Sequence, residues 1–151
     1  MPKAIISDTS CLIILSNIGE LEILQKLYGK IITTSAIAVE YGENLPTWIL
    51  IEDPINLSSQ RILEMQIDKG ESSAIALALE RNNSLLILDD LKARKVAHNL
   101  GLLITGTIGV VIKAKLCGII PSIKPIINKI KISNFRISEE LERKALKEAG
   151  E

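Results

Sequence analysis

The chain alternates short, unbroken aliphatic runs with longer segments whose apolar residues recur at helical spacing. Lys3–Ser7, "IITT", "LLIL" and "LLIT" are each four or five residues of nearly continuous aliphatic character, as buried strands require. Helical segments separate them. "SCLIILSNIG" has Ser10 as an N-cap and Gly19 as its stop, while "ELEILQKLYGK" puts Leu21, Leu24 and Leu27 on one face ahead of Gly29. Ser35 opens "AIAVEYGE", which ends near Gly42; "TWILIED", bracketed by Pro46 and Pro54, reads as extended or loosely helical. "SSQRILEMQI" is an amphipathic helix broken by "DKG", and "ESSAIALALERN" is an apolar helix beginning at Glu71. "LKARKVAHNLG", "GTIGVVIKAKLCG", "SIKPIINKIKI" and "SEELERKALKEAG" complete the set. The last has Ser138 as N-cap, with Leu141 where a capping box would need Glu.

Strands of this kind alternating with helices predict an α/β architecture, a parallel sheet covered on both faces. No repeat, low-complexity tract or linker divides residues 1–151, so one domain is expected. With 47% hydrophobic but only 3% aromatic residues, the core has to be built from Ile and Leu. Lys plus Arg equals Asp plus Glu at 18 each, so no global basic field attracts nucleic acid, and any such site must rest on local clusters or bound cations. Cys11 and Cys117 sit in apolar surroundings without metal-binding spacing and read as buried thiols of a reduced compartment. Pro2 and Lys3 lead directly into a strand, and no apolar run is long enough to span a bilayer; a cytoplasmic protein without a membrane partner is expected.

Acidic residues then change the picture. In open parallel sheets, ligands bind outside the carboxyl ends of the strands. Asp8 ends the first strand, and Asp89 with Asp90 ends "LLIL". Asp8 has a local use as a turn or cap residue, and Asp90 as N-cap of the helix from Leu91, which leaves Asp89 without one. Glu40 lies among apolar neighbours in "SAIAVEYGE", where a buried carboxylate needs a partner or a cation. Glu71 opens its helix, where the dipole favours an acid. Gathered at one sheet edge, these carboxylates make a hard-oxygen site suited to Mg²⁺ or Mn²⁺. Without a cation they would repel and raise each other's pKa. With one, they could activate water and stabilise charge on a phosphoryl oxygen, as phosphodiester hydrolysis requires.

Other polar residues are candidates for substrate contact. Lys92, Arg94 and Lys95 of "LKARK" either grip a phosphate backbone, Arg94 foremost through its fork, or form a solvated helix face. Ser10 or Thr9, and Thr107 of "TGT", either donate to a phosphate or a ligand carboxylate, or cap helices. His98, the only histidine, reads as a surface or packing residue; Lys113 and Lys115 line a nucleic-acid path or snorkel; Trp48 belongs to the core or to an interface.

"IISDTSCLI", "TTSAIAVEYGE", "KGESSAIALALE", "LLILDDLKARKVAHNLGL" and "ITGTIGVVIKAKLCGII" occur in order over nearly the whole chain. Together they resemble the PIN-domain ribonucleases, in particular the small prokaryotic VapC-like toxins of toxin–antitoxin pairs. The resemblance implies a three-layer α/β/α fold with a mostly parallel sheet of about five strands, and a Mg²⁺- or Mn²⁺-dependent endoribonuclease. It implies Asp8, Glu40, Glu71 and Asp89 (or Asp90) as catalytic and metal-binding acids. Asp89 is favoured as the metal-facing member of the pair and Asp90 as the cap, while Glu71 stands where many members carry Asp. It further implies an RNA substrate, for which Ser10, Arg94 and Thr107 are the candidate contacts, a homodimer, and an antitoxin that inserts peptide near the acids. Two other readings remain: a PIN-like module that only binds a partner, and a phosphoacceptor signalling domain. The latter would need an acidic pair on the first strand and a strand-end Lys, which "SDTS" and "ITGT" do not supply.

Overall fold

The structure, a computed structural model, describes Pro2 and residues 4–133 and 135–151. Five short aliphatic strands, β1 (Ala4–Ser7), β2 (Ile31–Thr33), β3 (Ile49–Ile51), β4 (Ser84–Ile87) and β5 (Leu103–Thr105), form one sheet in the order β3-β2-β1-β4-β5. Every pairing is parallel. β1 and β4 are buried along their whole lengths, which explains why their sequences are continuous rather than alternating. Lys3, the expected first strand residue, lies outside the described residues. "TWILIED" resolves as extended: Ile49–Ile51 is the edge strand beside β2, and Ile51 is exposed there.

Nine helices fill the connections among the described residues: α1 (Thr9–Asn17), α2 (Glu22–Tyr28), α3 (Ser35–Tyr41), α4 (Leu57–Leu63), α5 (Lys69–Glu80), α6 (Leu91–Asn99), α7 (Thr107–Leu116), α8 (Lys124–Ile132) and α9 (Glu139–Glu148). α2 packs on β2 and on α7, which carries α9, whereas α5 packs on β1 and β4 and carries α3 and α4. The return from β3 to β4 runs opposite to the step from β1 to β2, so right-handed crossovers put α5 and α2 on opposite faces. The result is the expected three-layer α/β/α arrangement. Its largest fully buried side chains are Ile and Leu throughout, among them Ile6, Leu12, Ile37, Ile75, Leu77 and Leu86. No helix among the described residues is long and apolar enough to cross a membrane.

Helix starts differ from expectation in a consistent way. The N-cap of α1 is Asp8 rather than Ser10, and that of α3 is Thr34 rather than Ser35. "DKG" does not merely break a helix; it opens α5, with Asp68 as N-cap and Glu71 closing a capping box. Ser138 caps α9 as expected, accepting from Leu141 N at 3.1 Å. Cys11 is buried, but Cys117 ends α7 exposed, a correction to its reading as a core thiol.

Candidate metal-binding active site

β1 lies at the centre of the sheet, with its chain leaving towards β2 while the chain from β4 leaves towards β5. The crevice where these connections diverge is the position at which such sheets bind ligands. Asp8 N–H donates to Ile87 O at 3.0 Å, and Leu88 N–H to Thr105 O at 2.8 Å, so the ladder runs just past the formal strand ends. Asp8 is only 4% exposed, and both its carboxylate oxygens are occupied by backbone donors. Oδ1 accepts from Cys11 N at 2.9 Å, capping α1, and Oδ2 accepts from Asp89 N at 3.0 Å. Asp89 is held in turn by Thr107, whose N–H reaches Oδ1 at 2.8 Å and whose hydroxyl reaches Oδ2 at 2.5 Å. Gly106 permits that approach, because a Cβ there would lie 2.9 Å from both Asp89 Oδ1 and Arg94 Nη1. Arg94 braces the same turn by donating from Nη1 to Leu88 O at 2.8 Å.

α3 and α5 build the other side. Thr34 caps α3 through Ile37 N at 3.3 Å and shares a 2.6 Å hydrogen bond with Ser73 of α5, which pins the two helix starts together. Ser35 is clamped by Asp53, which accepts from both its N–H and its hydroxyl. Glu40, near the end of α3, therefore reaches across the first turn of α5. A Cβ on Gly70 would stand 2.0 Å from Glu40 Oε1, so this glycine is what admits the carboxylate. Thr9, at the start of α1, lies close enough to Glu40 to draw its carboxyl down slightly against the effects that raise it. Asp68 Oδ1 accepts from Glu71 N at 2.8 Å, and Glu71 Oε1 reaches back to Asp68 N at 3.3 Å.

The electrostatics link these acids into one set. Burial, and then the Asp89 charge, push the Asp8 carboxyl up to about 7, against the lowering effect of its two backbone hydrogen bonds. Burial and the charges of Asp68 and Asp90 raise Glu71 to about 7. Glu40 is raised by burial of its carboxyl end and by Asp68. Burial also pushes the Cys11 thiol, beneath the acids, well up. Carboxylates pressed together in this way favour a hard divalent cation, which relieves their repulsion. Among the described residues no three His, Cys, Asp or Glu side chains are already set around a single metal position. The fit lies in the chemistry of the donors: Asp8 and Asp89 are fixed, and Glu40 and Glu71 end in longer, partly exposed arms able to close from the other side.

The model of the PIN-domain family matches residues 4–151, nearly the entire chain. The chain belongs to the PIN-domain family. None of the curated proteins compared with it matches. PIN domains are generally nucleases, and the acidic crevice of this one lies where the fold places its ligand site.

Each expected residue has a definite place in this PIN domain. Asp8 meets Asp89 and lies within reach of the Glu71 charge, Glu71 lies beside Asp90, and Glu40 is linked to this set through Asp68. Of the paired aspartates, Asp90 is the expected cap of α6, accepting from Ala93 N at 2.9 Å, and Asp89 donates its backbone N–H to Asp8 Oδ2 at 3.0 Å. Thr107 is fully buried and its hydroxyl donates to Asp89, so of its three expected roles, towards phosphate, towards a carboxylate or as a cap, it takes the one towards a carboxylate. Ser10 is exposed in the first turn of α1, free of the capping role that Asp8 takes. Lys113 sits 5.2 Å from the centre of the Tyr28 ring, and Lys115 donates to Ala149 O at 3.0 Å, so both serve packing. Exposed His98 lies in the last turn of α6, and half-buried Trp48 packs on the core. Sequence reasoning missed Asp68, the acid coupled to both Glu40 and Glu71. A signal for it exists: Asp-x-x-Glu before an apolar helix is a capping-box pattern.

Proposed function

We propose that this PIN domain is a Mg²⁺- or Mn²⁺-dependent endoribonuclease. The observation that carries the reading is the meeting of Asp8 and Asp89 at the divergence of β1 and β4, with the Glu71 charge of α5 within reach of Asp8 and Glu40 of α3 linked to it through Asp68. A divalent cation held by these acids would supply positive charge to the phosphoryl oxygens and lower the pKa of water. Asp8 and Asp89 provide the fixed anchors, since backbone N–H groups and Thr107 hold their orientation. Glu71, half-buried at the start of α5 beside Asp68, would be the carboxylate to accept a proton from attacking water. The order β3-β2-β1-β4-β5 differs from the flavodoxin-like order of phosphoacceptor domains, which weighs against that alternative.

The test is cleavage of single-stranded RNA with Mg²⁺ or Mn²⁺. Cleavage that survives EDTA, or survives both Asp8→Asn and Asp89→Asn, sinks the site. The same reading includes a role as the toxin of a toxin–antitoxin pair, acting as a cytoplasmic homodimer. It is supported by family membership and by a groove of about 570 Å³ beside Glu40 and Asp68, where Val39 and Leu57 offer apolar surface to a peptide. Growth arrest on expression, relieved by co-expression of a neighbouring small gene, is the expected outcome. Light scattering should give twice the chain mass.

A further inference from the structure

A second groove, of about 540 Å³, leads away from the acids on the opposite side. Asp89, Arg94 and Gly106 form its end at the active edge. Farther along, Arg136 and Lys144 stand on its rim, with Phe135, Ile104 and Ile108 supplying apolar surface. Arg136 and Lys144 are exposed, and among the described residues neither is paired with a carboxylate. Two acids line the groove as well, Asp89 at its end and Glu148 farther along. In a chain with 18 basic and 18 acidic residues, such a local group of cations beside an acidic crevice is not explained by overall charge.

We propose that this groove binds the strand flanking the scissile phosphate, as unpaired RNA, with Arg136 and Lys144 contacting phosphates and Phe135 stacking a base. The proposal rests on the nuclease reading and extends it to residues outside the acidic site. Cations interleaved with an aromatic ring and aliphatic surface match the alternation of phosphate and base along a single strand. A duplex hides its base faces and cannot use Phe135 in this way. An acidic peptide offers charge without a π-face, so it would leave the ring unused. Arg94 spends Nη1 on Leu88 O, which leaves its remaining N–H groups for a phosphate where the groove meets Asp89.

The experiment measures binding of a labelled single-stranded RNA by fluorescence anisotropy in EDTA, over a range of salt, alongside cleavage with Mn²⁺. The double variant Arg136→Ala/Lys144→Ala should weaken binding about tenfold or more. It should also flatten the plot of log affinity against log salt by about 1.4, or about 0.7 for each phosphate no longer neutralised. Phe135→Leu should weaken binding roughly tenfold at an unchanged slope. Lys26→Ala/Lys30→Ala removes the same charge from exposed positions elsewhere and should leave binding as in the wild type. If the wild type cleaves RNA while the groove variants bind with unchanged affinity and slope, the groove proposal is overturned and the nuclease reading stands. If the variants lose binding although the wild type never cleaves, the groove stands and the nuclease reading falls. A wild type that does not bind RNA, or one from which duplex RNA or a polyglutamate peptide displaces it equally well, overturns the proposal. Thermal melting of each variant at the wild-type temperature confirms that weaker binding does not come from unfolding.

Discussion

Asp8 and Asp89 differ from Glu40 and Glu71 in what holds them. The two aspartates have short side chains whose oxygens are taken up by backbone N–H groups and by buried Thr107, at the ends of the two central strands. The two glutamates project from helices: one is tucked over Gly70, the other shares its carboxylate with a capping box. One half of the site is therefore set by the sheet, while the other is set by side-chain rotamers that a ligand can change. If the chain is the nuclease proposed above, the fixed half would keep its shape without a cation and the other half would close around one. Preorganisation in the first half would then lower the cost of binding, and adaptability in the second would complete it.

The sharpest way to break this contrast is to neutralise one acid from each half. Asp8→Asn should lower cation-dependent RNA cleavage by about 10²–10³-fold; it should also lower the melting temperature modestly, because Asn still caps α1 but sets an amide N–H₂ against one of the two N–H groups that Asp8 accepts from. Glu71→Gln should cost clearly less activity. Equal losses would mean that the two halves do the same work.

The pH dependence of stability tests the same division. Asp8 rises from 3.8, and Glu71 from 4.5, each to about 7 on folding. The folded chain therefore holds these protons more tightly than the unfolded chain, and ionising the groups costs the folded state. Stability from this source is complete below about pH 4, falls as pH rises towards about 7, and then levels off. Melting curves should show that decline, Asp8→Asn should make it shallower, and millimolar Mn²⁺ should offset it by binding only the folded form. A melting temperature that rises between pH 4 and 7 in Asp8→Asn and wild type alike would contradict the assignment.

Thr107→Val should loosen the fixed half alone. It removes the hydroxyl donor to Asp89 Oδ2 with almost no change of shape, at about 1 kcal/mol of stability, and cleavage should fall roughly tenfold. Gly70→Ala should disturb the mobile half alone. A methyl group there displaces the Glu40 carboxylate, so cation affinity measured by calorimetry should fall several-fold, while the helix gains up to about 0.5–1 kcal/mol. Smallest of all should be Asp90→Asn, since Asn keeps the cap to Ala93 N; a loss of cleavage as large as that of Asp89→Asn would exchange the roles of the pair.

Where the sequence misleads, it does so at helix starts, and for one reason. Ser10 and Ser35 are good capping residues, yet Asp8 and Thr34 do the capping, because the parallel strands before them carry the chain to the sheet edge one or two residues earlier. "DKG" reads as a stop because Gly breaks helices, but Gly70 lies within α5 and serves the Glu40 approach. β3 is ambiguous in sequence since a three-residue edge strand with two exposed positions carries too little pattern to identify. The longer buried elements are legible, as are Asp90 as a cap and the acids at strand ends.

Local pattern alone determined the alternation of strands and helices, the aliphatic core and the carboxylates at the strand ends, since each depends on residues a few positions apart. Only tertiary structure decided that Asp8 and Asp89, 81 residues apart, share a hydrogen bond; that Thr107 belongs to Asp89 rather than to solvent; and that Asp68 joins Glu40 and Glu71. Strand order brings those groups together, and strand order is set by which buried faces pack against each other across the whole chain. No stretch of residues carries that information by itself.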